Sequence, residues 1–287
     1  MRHPATHFAP QPTRLPREPA PPLISATALA GVPALIRQAF GERVLQHANR
    51  AAMLDVELIE DRDCFIPHAT MTGFLAETER RTGEAYLGLF LAPHLSLANY
   101  GCWGEYVLAA DTLGAAIARI AASIGYHSHG DRAALSTANG VARFAYGSAA
   151  RGRPGYVHVA LGAAGVMLDL VRTYAPPGWK PDAIELDLPR PRGRGRFDEA
   201  FGCPVRFDAP SVAVRFAAGL LDARGRRPDG GSSPSRTWPA RASTRRVAMT
   251  SSARWRRRSG RRCSRARCPS TAPPAPWTSA AARCSAH

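Results

Sequence analysis

Residues 223–287 contain no Leu, Ile, Phe, Tyr, Glu, Lys, Asn or Gln. That absence constrains the fold more than any motif in the chain. A segment without large aliphatic side chains cannot bury enough apolar surface to offset its conformational entropy, so it is expected to be disordered. The charge divides at the same place. Residues 223–287 hold 16 Arg against one acid, Asp229, whereas residues 1–222 hold 22 basic and 21 acidic side chains. The formal net charge of +16 thus belongs almost entirely to the tail, and body and tail are read separately. At the other end, residues 1–22 carry seven prolines and read as a disordered leader. The folded core is therefore expected within residues 23–222, enough chain for one sizeable domain.

Within that body the apolar periodicity alternates between helical and extended. Residues 25–40 read as a helix interrupted by Pro33 and closed by Gly41. A second helix is expected to start near Pro67, with Met71, Phe74, Leu75 and Thr78 on one face and Gly83 as its stop. Residues 86–91 predict a shorter helix. Residues 111–125 give the cleanest signal, with a cap at Asp111 or Thr112 followed by Leu113, Ala116, Ile117, Ile120 and Ile124. Alternating runs at 133–137 and 141–146, separated by Ala138-Asn139-Gly140, predict a β-hairpin, because Asn-Gly tolerates the positive φ of a tight turn. A long helix over 155–174 and short strands at 183–188, 205–207 and 212–216 complete the pattern. Helices mixed with hairpins, without regular β-α-β alternation, predict an α+β domain of helices packed with short antiparallel strands.

Several function classes find no support in the sequence. There is no apolar signal core and no apolar run near the ~20 residues needed to span a bilayer, so a cytoplasmic protein without a membrane partner is expected. The six cysteines include no C-x-x-C pair, which argues against a zinc ribbon. No Gly-x-Ser-x-Gly elbow occurs, and the sole lysine, Lys180, sits in Trp-Lys-Pro and not in a phosphate loop. Gly193-Arg194-Gly195-Arg196 follows Pro189-Arg190-Pro191-Arg192 and reads as an exposed basic loop. The chain is expected to be neither an enzyme nor the holder of a cofactor.

Three groups of residues carry the remaining chemistry. His127-Ser128-His129-Gly130-Asp131 places two imidazoles on one side of an extended segment, but no spacing marks a third metal ligand. His127 reads better as a contact for a small molecule, or as a loop histidine satisfied by the backbone. Tyr100, Trp103 and Tyr106 form the densest aromatic cluster of the body. They offer either the wall of a pocket or a core cluster that seats the following helix. His158, next to Val157 on the long helix, faces the pocket or is partly exposed.

In overall order the body resembles the N-terminal effector-binding region of AraC-type transcriptional regulators, the arabinose-binding-like branch. The resemblance covers most of residues 23–221. It rests on Ile66-Pro67 leading to Phe74-Leu75, Thr82-Gly83 with Leu87-Gly88-Leu89, and Gly104 to Ala110 followed by Thr112-Leu113-Gly114. Tyr126-His127-Ser128, Trp179-Lys180-Pro181 with Ile184-Glu185-Leu186, and Phe201-Gly202-Cys203-Pro204-Val205-Arg206-Phe207 continue it. The resemblance implies a sensor of a small organic effector, often dimeric, that normally feeds a C-terminal pair of helix-turn-helix motifs. Tyr100, Trp103, Tyr106, His127 and His158 are then the candidate effector contacts, and no metal site is expected. Where the DNA-binding helices should begin, the arginine-rich tail stands instead. Arg outnumbers Lys 37 to one, which suggests a G/C-rich gene, and a shifted reading frame accounts for both the charge and the missing residue types. With G/C-rich codons read two bases further along, residues 268–278 can yield Pro-Val-Asp-Arg-Ala-Ala-Arg-Ala-Val-Asp, which looks like the opening helix of a helix-turn-helix, and residues 255–260 can yield Glu-Ala-Ala-Leu-Gly, an ordinary helical string. The nucleotide sequence past the codon for Asp222 decides this reading. DNA is then a partner only where an intact helix-turn-helix domain is supplied. The rival reading is a nucleic-acid-binding protein that uses the basic tail, with Trp255 stacking among closely spaced arginines.

Overall fold

The computed structural model describes residues 21–55 and 64–225. The readings of the proline-rich leader and of nearly all the arginine-rich tail lie outside the described residues. Strand β1 (Leu23–Ser25) pairs antiparallel with β2 (Phe65–Pro67), and between them lie α1 (Val32–Phe40) and α2 (Glu42–Ala52). There follow α3 (His68–Thr82), α4 (Leu87–Leu91), α5 (Gly101–Leu108) and α6 (Leu113–Ser123). The hairpin β3 (Arg132–Ala138) and β4 (Val141–Gly147) leads to α7 (Tyr156–Tyr174), then β5 (Ala183–Glu185), α8 (Gly195–Phe201), β6 (Val205–Arg206) and β7 (Val212–Ala217). The larger sheet runs β3-β4-β7-β5-β6, antiparallel except for the β5–β6 pair. The architecture is mixed α+β, as the alternating periodicities predicted.

The strongest local signals form the elements they announced. Thr112 caps α6 by accepting the Ala115 N–H at 3.2 Å, and Leu113, Ala116, Ile117 and Ile120 are buried along its inner stripe. Asn139 (φ 51°) and Gly140 (φ 75°) both take positive φ, the geometry whose twist matches the flanking strands of a two-residue hairpin.

Four segments depart from the sequence reading. Residues 25–40 are not one helix. Ser25 ends β1, its hydroxyl accepts the Thr27 N–H to cap a single 3-10 turn, and the helix restarts at Val32 with Pro33 in its first turn, where a missing N–H costs nothing. Gly41 does not end helical structure but separates α1 from α2, whose buried stripe of Leu45, Ala48 and Ala52 is narrow and small. The aromatic segment at 101–108 is the helix α5. Its Gly104 passes so close to the turn before it that an added Cβ would lie 1.9 Å from the Leu97 carbonyl oxygen. The exposed arginines at 192–196 lead directly into α8, which buries Phe197 and Phe201 one turn apart.

Helix α7 lies between two apolar clusters. One joins α7 and α6 to the five-stranded sheet through Ile117, Leu161, Leu170, Val214 and Phe216. The other joins β1, β2 and α1–α4 through Ile36, Leu45, Phe74 and Leu87. The second layer reaches α7 at Gly88, where an added Cβ would lie 2.6 Å from both the Cα and the carbonyl oxygen of His158. That contact is backbone against backbone, so nothing flexible can yield. Gly88→Ala is therefore expected to lower stability by about 1–3 kcal/mol, read as a drop in denaturant midpoint. Gly73→Ala, inside α3 with nothing within 4 Å of the added Cβ, should leave the midpoint unchanged or raise it.

Candidate ligand-binding site

Where the two layers meet on α7 they do not close completely. An apolar cavity of about 110 Å³ remains, comparable in scale to the engineered cavity of about 150 Å³ that admits benzene in another protein. The N-terminal layer supplies Leu29 and Val32, with Met71 and Leu75 from α3. Helix α7 supplies Gly162, Ala163, Val166 and Met167, while α6 and the hairpin add Ile120, Phe144 and Tyr146.

Three of the five anticipated site residues meet at one end. Tyr100, Trp103 and His127 line the cavity, and the His127 ring stacks on both others with centroids 4.6 Å away. The Tyr100 and Trp103 centroids are only 6.2 Å apart. Rings on opposite faces of the imidazole would be about 7 Å apart at van der Waals spacing, so the two form a shared platform under one face. Backbone bonds hold His127 there: its N–H donates to the Ile124 carbonyl at 2.9 Å, and its own carbonyl accepts the Ser25 N–H at 2.7 Å. Strand β1 thus docks the chain's entry against the loop that carries the histidine. Neither ring nitrogen of His127 has a hydrogen-bond partner among the described residues. Trp103 Nε1 donates to Ser123 Oγ at 2.8 Å.

His158 also lines the cavity, but the expectation of partial exposure fails, since only 2% of its surface is accessible. Its Nδ1 accepts the Gly88 N–H at 3.2 Å. Nε2 therefore carries the proton and donates to Glu79 Oε2 at 2.9 Å. Burial lowers its pKa, with Glu79 opposing the shift. With both nitrogens committed, His158 offers the cavity carbon edges and acts as a clamp between α7 and the helical layer. Tyr106 is not brought to the cavity. Its ring lies under the Arg119 guanidinium, 5.0 Å from the centroid, and its carbonyl accepts from the same group at 2.6 Å.

Sequence reasoning missed the polar network behind the stacked rings. Asp131 accepts from the Tyr146 hydroxyl, from Ser148 Oγ at 3.2 Å and from the Ala149 N–H at 2.8 Å. His68, fully buried, places Nε2 2.9 Å from Ser128 Oγ and 3.7 Å from Asp131. Serine, histidine and carboxylate thus converge, but serine and carboxylate share one imidazole nitrogen. In a nucleophilic triad the carboxylate holds the nitrogen opposite the nucleophile. Here that atom, His68 Nδ1, is buried and has no hydrogen-bond partner among the described residues. The two histidines of His-x-His also separate: His129 stacks on Phe65, away from the His127 platform. Among the described residues no group of three or more His, Cys, Asp or Glu side chains is placed to hold a metal ion, and no helix is long and apolar enough to cross a membrane.

The family model for the N-terminal arabinose-binding domain of AraC transcription regulators matches residues 44–224. The chain belongs to this family. No curated protein sequence matches it. Among solved structures it is similar to the transcriptional regulator CdpR from Pseudomonas aeruginosa, at 16% identity and a TM-score of 0.42. That similarity covers 64% of this chain and 56% of CdpR, so the chain spans little more than half the regulator's length.

Burial lowers the His127 pKa to about 4, with Asp131 opposing the shift and His68 assisting it. The unfolded value is 6.5, so between pH 6.5 and 4 the unfolded chain takes up a proton that the folded chain refuses. Stability is then lost as pH falls through that window and is unaffected above it. At pH 5 the loss from this group is on the order of 2 kcal/mol relative to pH 7.5. His127→Phe keeps a flat ring on the platform and should flatten this part of the urea-midpoint profile. A profile as steep as that of the wild type would show that His127 is not held neutral.

Proposed function

We propose that this AraC-family regulatory domain senses a small organic effector held in the cavity between its helical layer and its sheet. One observation carries the reading: the cavity walls come from both apolar layers at once, so an occupant touches elements that otherwise meet along α7 and through the bonds of β1 and His68 to residues 127–131. Binding energy delivered there biases how the layers sit and hence the surface offered to a second copy or to a DNA-binding module. Tyr100, Trp103 and His127 are the contacts this reading favours, and His158 and Tyr106 are structural. Binding without turnover fits a pocket whose exposed polar atoms include no paired nucleophile and base.

We further infer that the domain pairs with a second copy as a homodimer, and that operator DNA is contacted only where a partner chain supplies an intact helix-turn-helix domain. Support comes from composition: residues 223–287 hold 16 Arg, one Asp and none of the large aliphatics Leu and Ile. The folded unit reaches slightly past the boundary expected from the sequence. Leu113 N–H donates to the Ala223 carbonyl, and Gly225 N–H donates to the Asp111 carbonyl. A truncation therefore belongs after Gly225.

A thermal-shift screen of a small-molecule library tests both readings. A compound at 100 times its Kd is expected to stabilise the domain by about 2.7 kcal/mol. The shift should survive deletion of residues 226–287 and vanish in Ala163→Leu, which fills the cavity from α7. Tight, salt-sensitive nucleic-acid binding that disappears with the same deletion, alongside no compound shift, would instead favour the basic-tail reading.

A further inference from the structure

We infer that the cavity selects an uncharged, largely hydrocarbon or aryl molecule bearing a single hydrogen-bonding head, and that it rejects sugars and carboxylates. This rests on the reading of the cavity as the effector site and follows from counting the polar atoms its walls leave free. Among the described residues the lining includes no Arg, Lys, Asp or Glu. Its polar members are all aromatic, and most are already occupied. Trp103 Nε1 is bound to Ser123, the Tyr146 hydroxyl to Asp131, and both nitrogens of His158 to Gly88 and Glu79. The Tyr100 hydroxyl and the His127 ring nitrogens alone have no partner among the described residues.

Two neighbouring free groups satisfy one hydroxyl, carbonyl or amide. A pentose carries a hydroxyl on nearly every carbon, and each one buried without a partner costs about 1–3 kcal/mol. A carboxylate fares worse. No cation meets it, and Asp131, bound to the Tyr146 hydroxyl that lines the same wall, opposes any anion brought to that end. The burial that holds His127 neutral and keeps the Tyr100 phenol protonated preserves one donor on each ring at neutral pH. The hydrocarbon part of the ligand then fills the space between Met71, Leu75, Ala163 and Met167.

Ligand-observed NMR titration of the full chain with matched probes tests the inference: benzyl alcohol and 1-hexanol against benzoate, hexanoate and L-arabinose. The alcohols should bind at least tenfold more tightly than either carboxylate or the sugar, and Ala163→Leu should abolish that binding. Ile120→Phe, which fills the cavity from α6, serves the same purpose should Ala163→Leu fail to fold. Tyr100→Phe keeps the ring and should weaken the alcohols about five- to tenfold while leaving toluene, which has no head, unchanged. Preferred binding of L-arabinose or a carboxylate, lost in the filling variants, would overturn the ligand class and leave the cavity reading intact. If no probe shows binding that a filling variant removes, the cavity reading itself fails, and the inference with it.

Discussion

The contact between Gly88 and the first turns of α7 governs the architecture. At that point two backbones approach too closely for any side chain to intervene, and His158 converts the approach into a clamp by accepting from Gly88 and donating to Glu79. The clamp joins α4, α7 and α3 with one side chain whose polar atoms are fully paired, so it adds no unsatisfied group to the interior. The cavity follows from the same contact. Small residues let the layers meet tightly at Gly88, whereas further along α7 Gly162 and Ala163 leave space that neither layer fills.

A second set of polar bonds fixes the other end of that space. Asp131 gathers the Tyr146 hydroxyl, Ser148 and the Ala149 N–H at the start of the hairpin, while β1 holds residues 127–129 through backbone bonds at Ser25 and Leu23. Between these anchors His127 lies on the Tyr100–Trp103 platform with its nitrogens unspent. A buried, neutral imidazole with no partner among the described residues lowers stability as the pH falls.

The elements legible in the sequence were those whose local chemistry and buried pattern agree. Thr112 before the Leu113–Ile120 stripe, the Asn139-Gly140 turn and the long apolar face of α7 each specify one structure. Residues 25–40, α2, α5 and α8 were illegible for physical reasons. Ser25 and Pro33 fit a helix start equally well at two places, and Gly41 and Gly104 look like breakers although one joins two helices and the other packs inside one. Arg194 and Arg196 hide the Phe197–Phe201 pair. The cavity lining was half legible: aromatic density around Tyr100 and the motif around His127 marked two of the segments that line it. The pairing of His68 with Ser128 across 60 positions, the inward turn of His158 and the outward turn of Tyr106 depend on tertiary packing that no local window contains.

On the proposed reading an occupant of the cavity touches both layers at once, and the methionines report this directly. Met71 comes from the helical layer and Met167 from α7 on the sheet side, and both line the cavity, whereas Met53 is 91% exposed. Titrating benzyl alcohol into protein labelled with 13C at the methionine methyl groups should shift the Met71 and Met167 resonances together along one saturation curve and leave Met53 in place. Movement of Met53 alone, or no saturable movement of Met71 and Met167, would contradict a ligand site between the layers.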